Sequence, residues 1–192
     1  MLAFDVCSRM SKRLFVAIDL PDSTRRLLAE LDPQIRGVRW TDAAQMHLTL
    51  GFFDRVPEEV ELRLREKLGG IQLKPFFLPI IGLGKFPEKD RPKVIWIGVG
   101  AGHPHLFQLY KRVQEAALQC GLEPELRPFR PHVTIARCRD VPEGALRKFL
   151  KSNAELDLGM FRVVSFHLYS SELTPAGPIH TRELTVQCIG GL

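Results

Sequence analysis

The chain has 192 residues, 45% of them hydrophobic, and a net charge of +5 at pH 7. This length suits one domain with a substantial core. The mild basic excess favours an anionic partner without demanding nucleic acid, and an ordinary solvated basic surface explains the charge equally well. No apolar run approaches the roughly 18 residues of a membrane-spanning helix, which excludes that class of protein.

The termini and cysteines favour a cytoplasmic protein. Residues 1–12 lack the apolar segment of a signal peptide, so we expect a flexible extension, and translation could start at Met10. The rest, residues 13–192, is expected to form a single domain. The cysteines at positions 7, 120, 138 and 188 show no C-x-x-C spacing and are expected to be reduced thiols. A zinc site from scattered Cys and His is the lesser alternative.

Apolar spacing predicts strands and helices in both halves of the chain. In the first half these are strand 13–20, a helix between Pro21 and Asp32, strands 37–40 and 46–53, and a helix between Pro57 and Gly69. In the second half they are two paired strands 75–83 and 93–99, helix 106–120, strand 131–137, helix 143–150, and strands 155–163, 164–170 and 179–188.

Two short segments read alike, His47-Leu48-Thr49-Leu50 and His132-Val133-Thr134-Ile135, and they are 85 positions apart. In a strand, alternate side chains share a face, so each segment presents His and Thr on one side and apolar residues on the other. The same order of strand, helix, motif strand and helix recurs around both copies. We therefore expect an α+β fold of two pseudo-symmetric lobes, mostly antiparallel sheet with outer helices, with the motifs facing across a cleft.

The paired residue types suit chemistry at a phosphate ester. One neutral imidazole can take a proton from water while a second, protonated imidazole gives one to the leaving oxygen, and no metal or other cofactor is then required. The hydroxyls of Thr49 and Thr134 can donate to phosphate oxygens. Arg137 is the best candidate for an added cation, because a guanidinium matches phosphate geometry.

Other residues have weaker claims to a function. The four remaining histidines, His103, His105, His167 and His180, are more simply read as surface or structural residues, with His180 the least decided. Aromatic side chains able to stack on a base are Phe15, Trp40 and Phe129, although strand aromatics are more often core. A basic cluster near the second motif comprises Arg127, Arg130, Arg137 and Arg139, of which Arg130 is the candidate RNA contact.

Beyond the motifs, co-linear segments resemble the 2H phosphoesterase superfamily, specifically the bacterial and archaeal RNA 2′,3′-cyclic phosphodiesterases once called 2′-5′ RNA ligases. The resemblance extends from Arg13 onward. Its segments are RLFVAIDLP at 13–21, RW at 39–40, HLTLGF at 47–52, GLGKFP at 82–87, VIWIGV at 94–99, RPFRPHVTIAR at 127–137 and LYSSEL at 168–173. One departure is His180, which stands where a Tyr usually follows the Gly-Pro turn.

The resemblance implies a bilobal fold and metal-independent hydrolysis of RNA 2′,3′-cyclic phosphate ends to 2′-phosphomonoesters. We expect the RNA to include tRNA fragments and the protein to be a monomer. By position, His47 matches the acid and His132 the base, with Thr49, Thr134 and Arg137 on the phosphate. Reversal of the reaction would give 2′-5′ ligation. Two alternatives stay open: a phosphodiesterase acting on a small cyclic nucleotide or a 2′-5′ oligoadenylate, and a non-catalytic RNA-binding module.

Overall fold

A computed structural model describes residues 11–189 except 124, 143 and 176. The expected N-terminal extension and the start at Met10 lie outside the described residues, except that Lys12 already belongs to the first strand. The strands are β1 (Lys12–Asp19), β2 (Val38–Trp40), β3 (His47–Val56), β4 (Phe76–Ile81), β5 (Leu83–Phe86), β6 (Val94–Gly98), β7 (His132–Cys138), β8 (Asp157–Val163), β9 (Ser165–Thr174) and β10 (Gly177–Gln187). The helices are α1 (Asp22–Glu30), α2 (Glu58–Gly69), α3 (Pro104–Gln119) and α4 (Arg147–Ser152), with a short 3-10 helix at Ala43–Gln45.

One antiparallel sheet connects the two halves of the molecule. Its strands follow the order β10-β9-β1-β3-β7-β6-β5, and β2 also pairs with β7. The two motif strands, β3 and β7, are joined at the pair Leu48 and Val133. Both of these side chains have 0% exposure, so the seam between the halves is sealed by core packing. The α+β fold of two related halves is confirmed.

The chain order repeats across this seam, as the sequence predicts. The first half runs β1, α1, β3, α2, and the second runs β6, α3, β7, α4. The halves also interlock, because β2 from the first half pairs with β7, while β9 returns to pair with β1 and β10 pairs with β9. Each half therefore depends on strands supplied from elsewhere in the chain.

The predicted pairing of residues 75–83 with residues 93–99 is wrong in its first part. The apolar run breaks at Gly82, whose φ of +82° lies in the left-handed region that favours glycine. Before the break, β4 pairs with β8 in a separate two-stranded sheet. After it, β5 pairs with β6. A continuous apolar run therefore supplies strands to two different sheets.

The predicted helices are present, with one change of boundary. The apolar stripe of α3 is core as expected, with Leu106, Leu109 and Val113 fully buried. The short helix predicted at 143–150 begins only at Arg147. Residue 143 lies outside the described part, and Gly144 has a φ of +76°, which a right-handed helix does not allow. The three cysteines in the described part, Cys120, Cys138 and Cys188, are free.

Candidate active site

The two His-x-Thr segments open onto one cavity of about 780 Å³. His47 and Thr49 line it from β3, and His132 and Thr134 line it from β7. The intervening Leu48 and Val133 face the core. Strand alternation thus separates the polar pair from the packed pair on each strand.

The seam between the strands relates the two motifs by approximate two-fold symmetry. Because β3 and β7 are antiparallel around Leu48 and Val133, that register sets His47 opposite Thr134 and Thr49 opposite His132. Each imidazole therefore lies across from the hydroxyl of the other half. This crossed arrangement surrounds one central point with two proton-transfer groups and two hydrogen-bond donors.

The His47 imidazole is held by aromatic packing and by the backbone. Its ring stacks on Phe15 of β1, with the centroids 4.7 Å apart and the planes inclined by 22°. The ring also hydrogen-bonds to the backbone of Gln45. Burial, aided by the nearby His180, lowers the pKa of His47 to about 4, although Asp19 and the Gln45 bond favour the charged form. The free imidazole is therefore neutral at pH 7.

His132 is held in a matching way. Phe86 meets its ring edge-on at 5.1 Å, and Trp96 lies at 6.3 Å. Its Nδ1 lies 2.7 Å from the Arg130 carbonyl oxygen, and donation to this acceptor requires a proton on Nδ1. Nε2 is then left for a ligand. Burial lowers the pKa of His132, while the bond to Arg130 opposes that shift. In both motifs the imidazole forms a hydrogen bond to the backbone of the residue two positions earlier.

Two arginines add positive charge to the cavity. Arg137 on β7 and Arg39 on β2 are cross-strand neighbours, and both line the cavity. Within the described part of the chain, Asp42 is the only carboxylate residue of the lining, and its Oδ1 accepts a hydrogen bond from the Ala44 N–H. Cations and hydroxyl donors therefore outnumber acidic groups, which suits an anionic ligand. Arg39 was not among the candidates named from the sequence.

The structure separates the predicted base contacts. Trp40 lines the cavity, and its Nε1 donates to the Leu28 carbonyl at 3.0 Å, which fixes the indole. Phe15 is only 3% exposed and stacks on both His47 and Tyr169, so it supports the imidazole and has no free face for a base. Arg130 is exposed and its guanidinium pairs with Glu88, outside the cavity lining.

Two further candidates from the sequence lie away from the cavity lining. Phe129 stacks on Tyr110 at 4.0 Å. Arg127 forms an ion pair with Glu125 at 2.9 Å. Neither is positioned beside the motif residues, so the predicted basic cluster contributes Arg137 to the cavity and leaves its other members on the surface.

Of the other four histidines, one lines the cavity and three do not. His103 and His105 lie at the start of α3, where the His103 Nδ1 accepts from the His105 N–H. His167 is 6% exposed and contacts the hydroxyls of Ser165 and Thr185. His180 lines the cavity, with its ring centroid 5.8 Å from that of His47. The interpretation of His180 as a surface or structural residue was the least decided of the four, and the structure places this residue in the cavity lining.

A charged layer lies behind His47. The Asp19 carboxylate accepts from the Tyr169 hydroxyl at 2.9 Å and from the Arg182 guanidinium at 2.6 Å. Tyr169 in turn stacks on Phe15 at 5.1 Å. This network fixes the ring that supports His47. Asp19 also favours the protonated form of that imidazole.

The residues that the structure describes contain no group of three or more His, Cys, Asp or Glu side chains placed to hold a metal ion. No helix in the same part of the chain has the length and apolar character needed to cross a bilayer.

Comparisons with known proteins match both halves. A family model described as LigT-like phosphoesterase matches residues 18–96 and again residues 97–180. An RNA 2′,3′-cyclic phosphodiesterase of Aeropyrum pernix is 39% identical over 137 residues, covering 70% of this chain and 77% of that protein. One of Aquifex aeolicus is 33% identical over 170 residues, covering 87% and 90%. The crystal structure of E. coli LigT complexed with 3′-AMP has a TM-score of 0.78 at 26% identity, covering 94% of this chain and 100% of the other.

Proposed function

Because the chain belongs to the LigT-like phosphoesterase family, we propose that it hydrolyses RNA ends carrying a 2′,3′-cyclic phosphate to 2′-phosphomonoesters. One observation carries this proposal: two His-x-Thr segments from opposite halves meet at a single cavity. The relatives from Aeropyrum pernix and Aquifex aeolicus bear the name of this activity. The cationic lining supports an anionic substrate.

In the proposed reaction, the two imidazoles move the protons. His132 takes a proton from water as the water oxygen attacks phosphorus. The bond from phosphorus to the 3′-oxygen breaks, its electron pair stays on that oxygen, and His47 donates a proton to it. The products are a 2′-phosphomonoester and a 3′-hydroxyl. General acid–base catalysis of this kind contributes about 10² to 10⁴-fold per group.

The remaining polar groups would stabilise charge on the phosphate. Thr49 and Thr134 approach from opposite strands, so their hydroxyls can donate to different non-bridging oxygens. Arg137 supplies a guanidinium, which suits a phosphate better than a point charge does. Donors fixed before the substrate arrives need little reorganisation during the reaction, which favours the transition state.

The acid role of His47 requires a proton that the free protein does not keep at pH 7. Burial is the main cause of its lowered pKa. A phosphodiester bound beside the ring carries a negative charge, which favours the imidazolium and raises the pKa. Binding of the substrate would therefore charge the acid that later protonates the leaving oxygen.

The cavity volume supports a substrate whose recognised part is one terminal nucleotide. About 780 Å³ lies within the range of roughly 300–1,000 Å³ that is usual for small-molecule sites. Trp40 is the best-placed aromatic residue for the base. Longer RNA, including tRNA fragments, would continue into solvent. We expect a monomer acting in the cytoplasm, with 2′-5′ ligation as the reverse reaction at the same site.

The same volume favours one alternative, a phosphodiesterase specific for a small nucleotide. The similar E. coli LigT structure was solved with 3′-AMP. Both activities would use the same motif residues. Relative kcat/KM values for a 2′,3′-cyclic mononucleotide and for an oligoribonucleotide with the same end would separate them, since each hypothesis predicts the opposite preference.

The direct test uses an oligoribonucleotide with a 2′,3′-cyclic phosphate end in EDTA. We expect the parent protein to release a 2′-phosphate product, and His47→Ala and His132→Ala each to lose at least about 10²-fold in kcat. His103→Asn is a matched control, because it removes an imidazole outside the cavity and keeps a capping acceptor. No hydrolysis by the parent, or full activity in either motif variant, would contradict the proposal. A 3′-phosphate product would reverse the leaving-group assignment.

A further inference from the structure

His180 occupies a defined place in the cavity wall. It lies near the start of β10, opposite Ser171 of β9. Its ring meets Phe15 edge-on at 4.8 Å and meets His47 edge-on at 5.8 Å. His180 is therefore packed against the same aromatic support as the motif histidine.

The two nitrogens of His180 have different surroundings. Nδ1 is buried and has no hydrogen-bond partner among the described residues. Nδ1 is left without a partner in either neutral tautomer, at a cost of about 1–3 kcal/mol. A bound ligand that accepts from Nε2 therefore favours the tautomer that carries hydrogen on Nε2. Burial also lowers the pKa of His180, which agrees with a neutral ring. Nε2–H is then a donor available to a ligand in the cavity.

The neighbouring charged groups are already occupied. His180 also lines a smaller cavity of about 260 Å³ behind His47, together with Asp19, Arg25 and Arg182. Asp19 pairs with Arg182 at 2.6 Å, and Arg25 pairs with Asp22. Of the residues that line this smaller cavity, His47 and His180 also line the larger one, so the imidazole of His180 is the further donor that this wall presents to a substrate there.

Resting on the proposed function, we propose that His180 is a third substrate-binding histidine, whose Nε2–H donates to the ribose that carries the cyclic phosphate. His180 adjoins His47, the imidazole assigned to the leaving 3′-oxygen, whereas the rings packed around His132 are Phe86 and Trp96. The group next to the 3′-oxygen is the ribose. A neutral donor suits its uncharged oxygens.

Three substitutions of His180 distinguish a role in hydrogen bonding to the substrate from a role in packing. His180→Phe keeps an aromatic ring against Phe15 and His47 but removes the donor. His180→Gln places an amide donor near the position of Nε2, and His180→Tyr supplies a hydroxyl at the tip of a ring. We expect His180→Phe to raise KM about tenfold with kcat changed less than about twofold, because one hydrogen bond to bound substrate is lost throughout the reaction. His180→Gln should recover most of the loss.

Binding of a nucleoside 2′-monophosphate, measured by calorimetric titration, gives a second readout that does not depend on turnover. We expect about tenfold weaker binding by His180→Phe than by the parent, and near-parent binding by His180→Gln. Equal binding and equal KM in His180→Phe and the parent would overturn the role of His180. A loss that neither Gln nor Tyr restores would also overturn it, since the ring would then act through packing. Absence of turnover by the parent would refute the proposed function, while the titration would still decide whether His180 binds the nucleoside.

Discussion

Substrate binding should raise the pKa of His47, and this change can be measured. In the free protein, burial lowers the pKa of His47 from 6.5 to about 4, which corresponds to about 3 kcal/mol in favour of the neutral ring. At pH 7 only about one free molecule in a thousand then carries this proton. The proposed acid would be mostly uncharged until an anionic phosphate lies beside it.

Two pH profiles test this reasoning, because kcat/KM reports the ionisations of the free enzyme and kcat those of the complex. Burial lowers the pKa of His47 and of His132. We therefore expect the kcat/KM optimum to fall below pH 6.5. The optimum of kcat should lie at higher pH, because the bound phosphate raises the pKa of His47.

The assay is steady-state hydrolysis of an oligoribonucleotide 2′,3′-cyclic phosphate at several pH values, with NMR titration of the histidine rings in the free protein. His47→Gln identifies the His47 signal by its loss. A free His47 that titrates at or above pH 6.5 would refute the argument from burial. Superimposable profiles of kcat and kcat/KM would refute the coupling between phosphate binding and the acid.

Three further predictions follow from the same geometry. In the unfolded chain His47 binds a proton below pH 6.5, whereas the folded ring does not accept one until about pH 4. The free energy of unfolding should therefore fall by about 3 kcal/mol as the pH is lowered from 6.5 to 4. Urea titrations over this pH range should show a smaller fall in His47→Asn. Phe15→Leu removes the ring stacked under His47 and should cost about 1–2 kcal/mol in urea titrations and lower kcat; parent kcat would show that stacking does not orient the imidazole. Arg137→Lys should raise KM about tenfold, because Lys lacks the planar guanidinium; Arg139→Lys, on a 95%-exposed side chain, is the control and should leave KM unchanged.

Most elements were predictable because the signals are local. The apolar stripe of α3 and the alternation of β3 and β7 are read within a few residues. The duplicated order of elements also follows from the sequence, and it accounts for the family model matching twice. The pairing of the second-half strands was less accessible. Only the left-handed turn at Gly82 separates β4 from β5, and an isolated glycine does not say which partner each strand will choose.

The residues of the candidate site were likewise predictable where the signal is local and missed where it depends on strand pairing. His47, Thr49, His132, Thr134 and Arg137 were named from the sequence, and all five line one cavity. His180 was discounted because it has no repeated motif. Its proximity to His47 depends on β10 pairing with β9 and β9 with β1, which are contacts between distant segments.

The sequence by itself determined which face of each motif strand is polar, because a strand repeats every two residues whatever its partners are. It also determined the residue types that can move protons and bind phosphate. Only the tertiary structure decided that Leu48 pairs with Val133 across 85 positions, that Phe15 is buried beneath His47, and that His180 joins the cavity. Strand order and register are set by packing summed over many distant contacts, and no local segment carries that information.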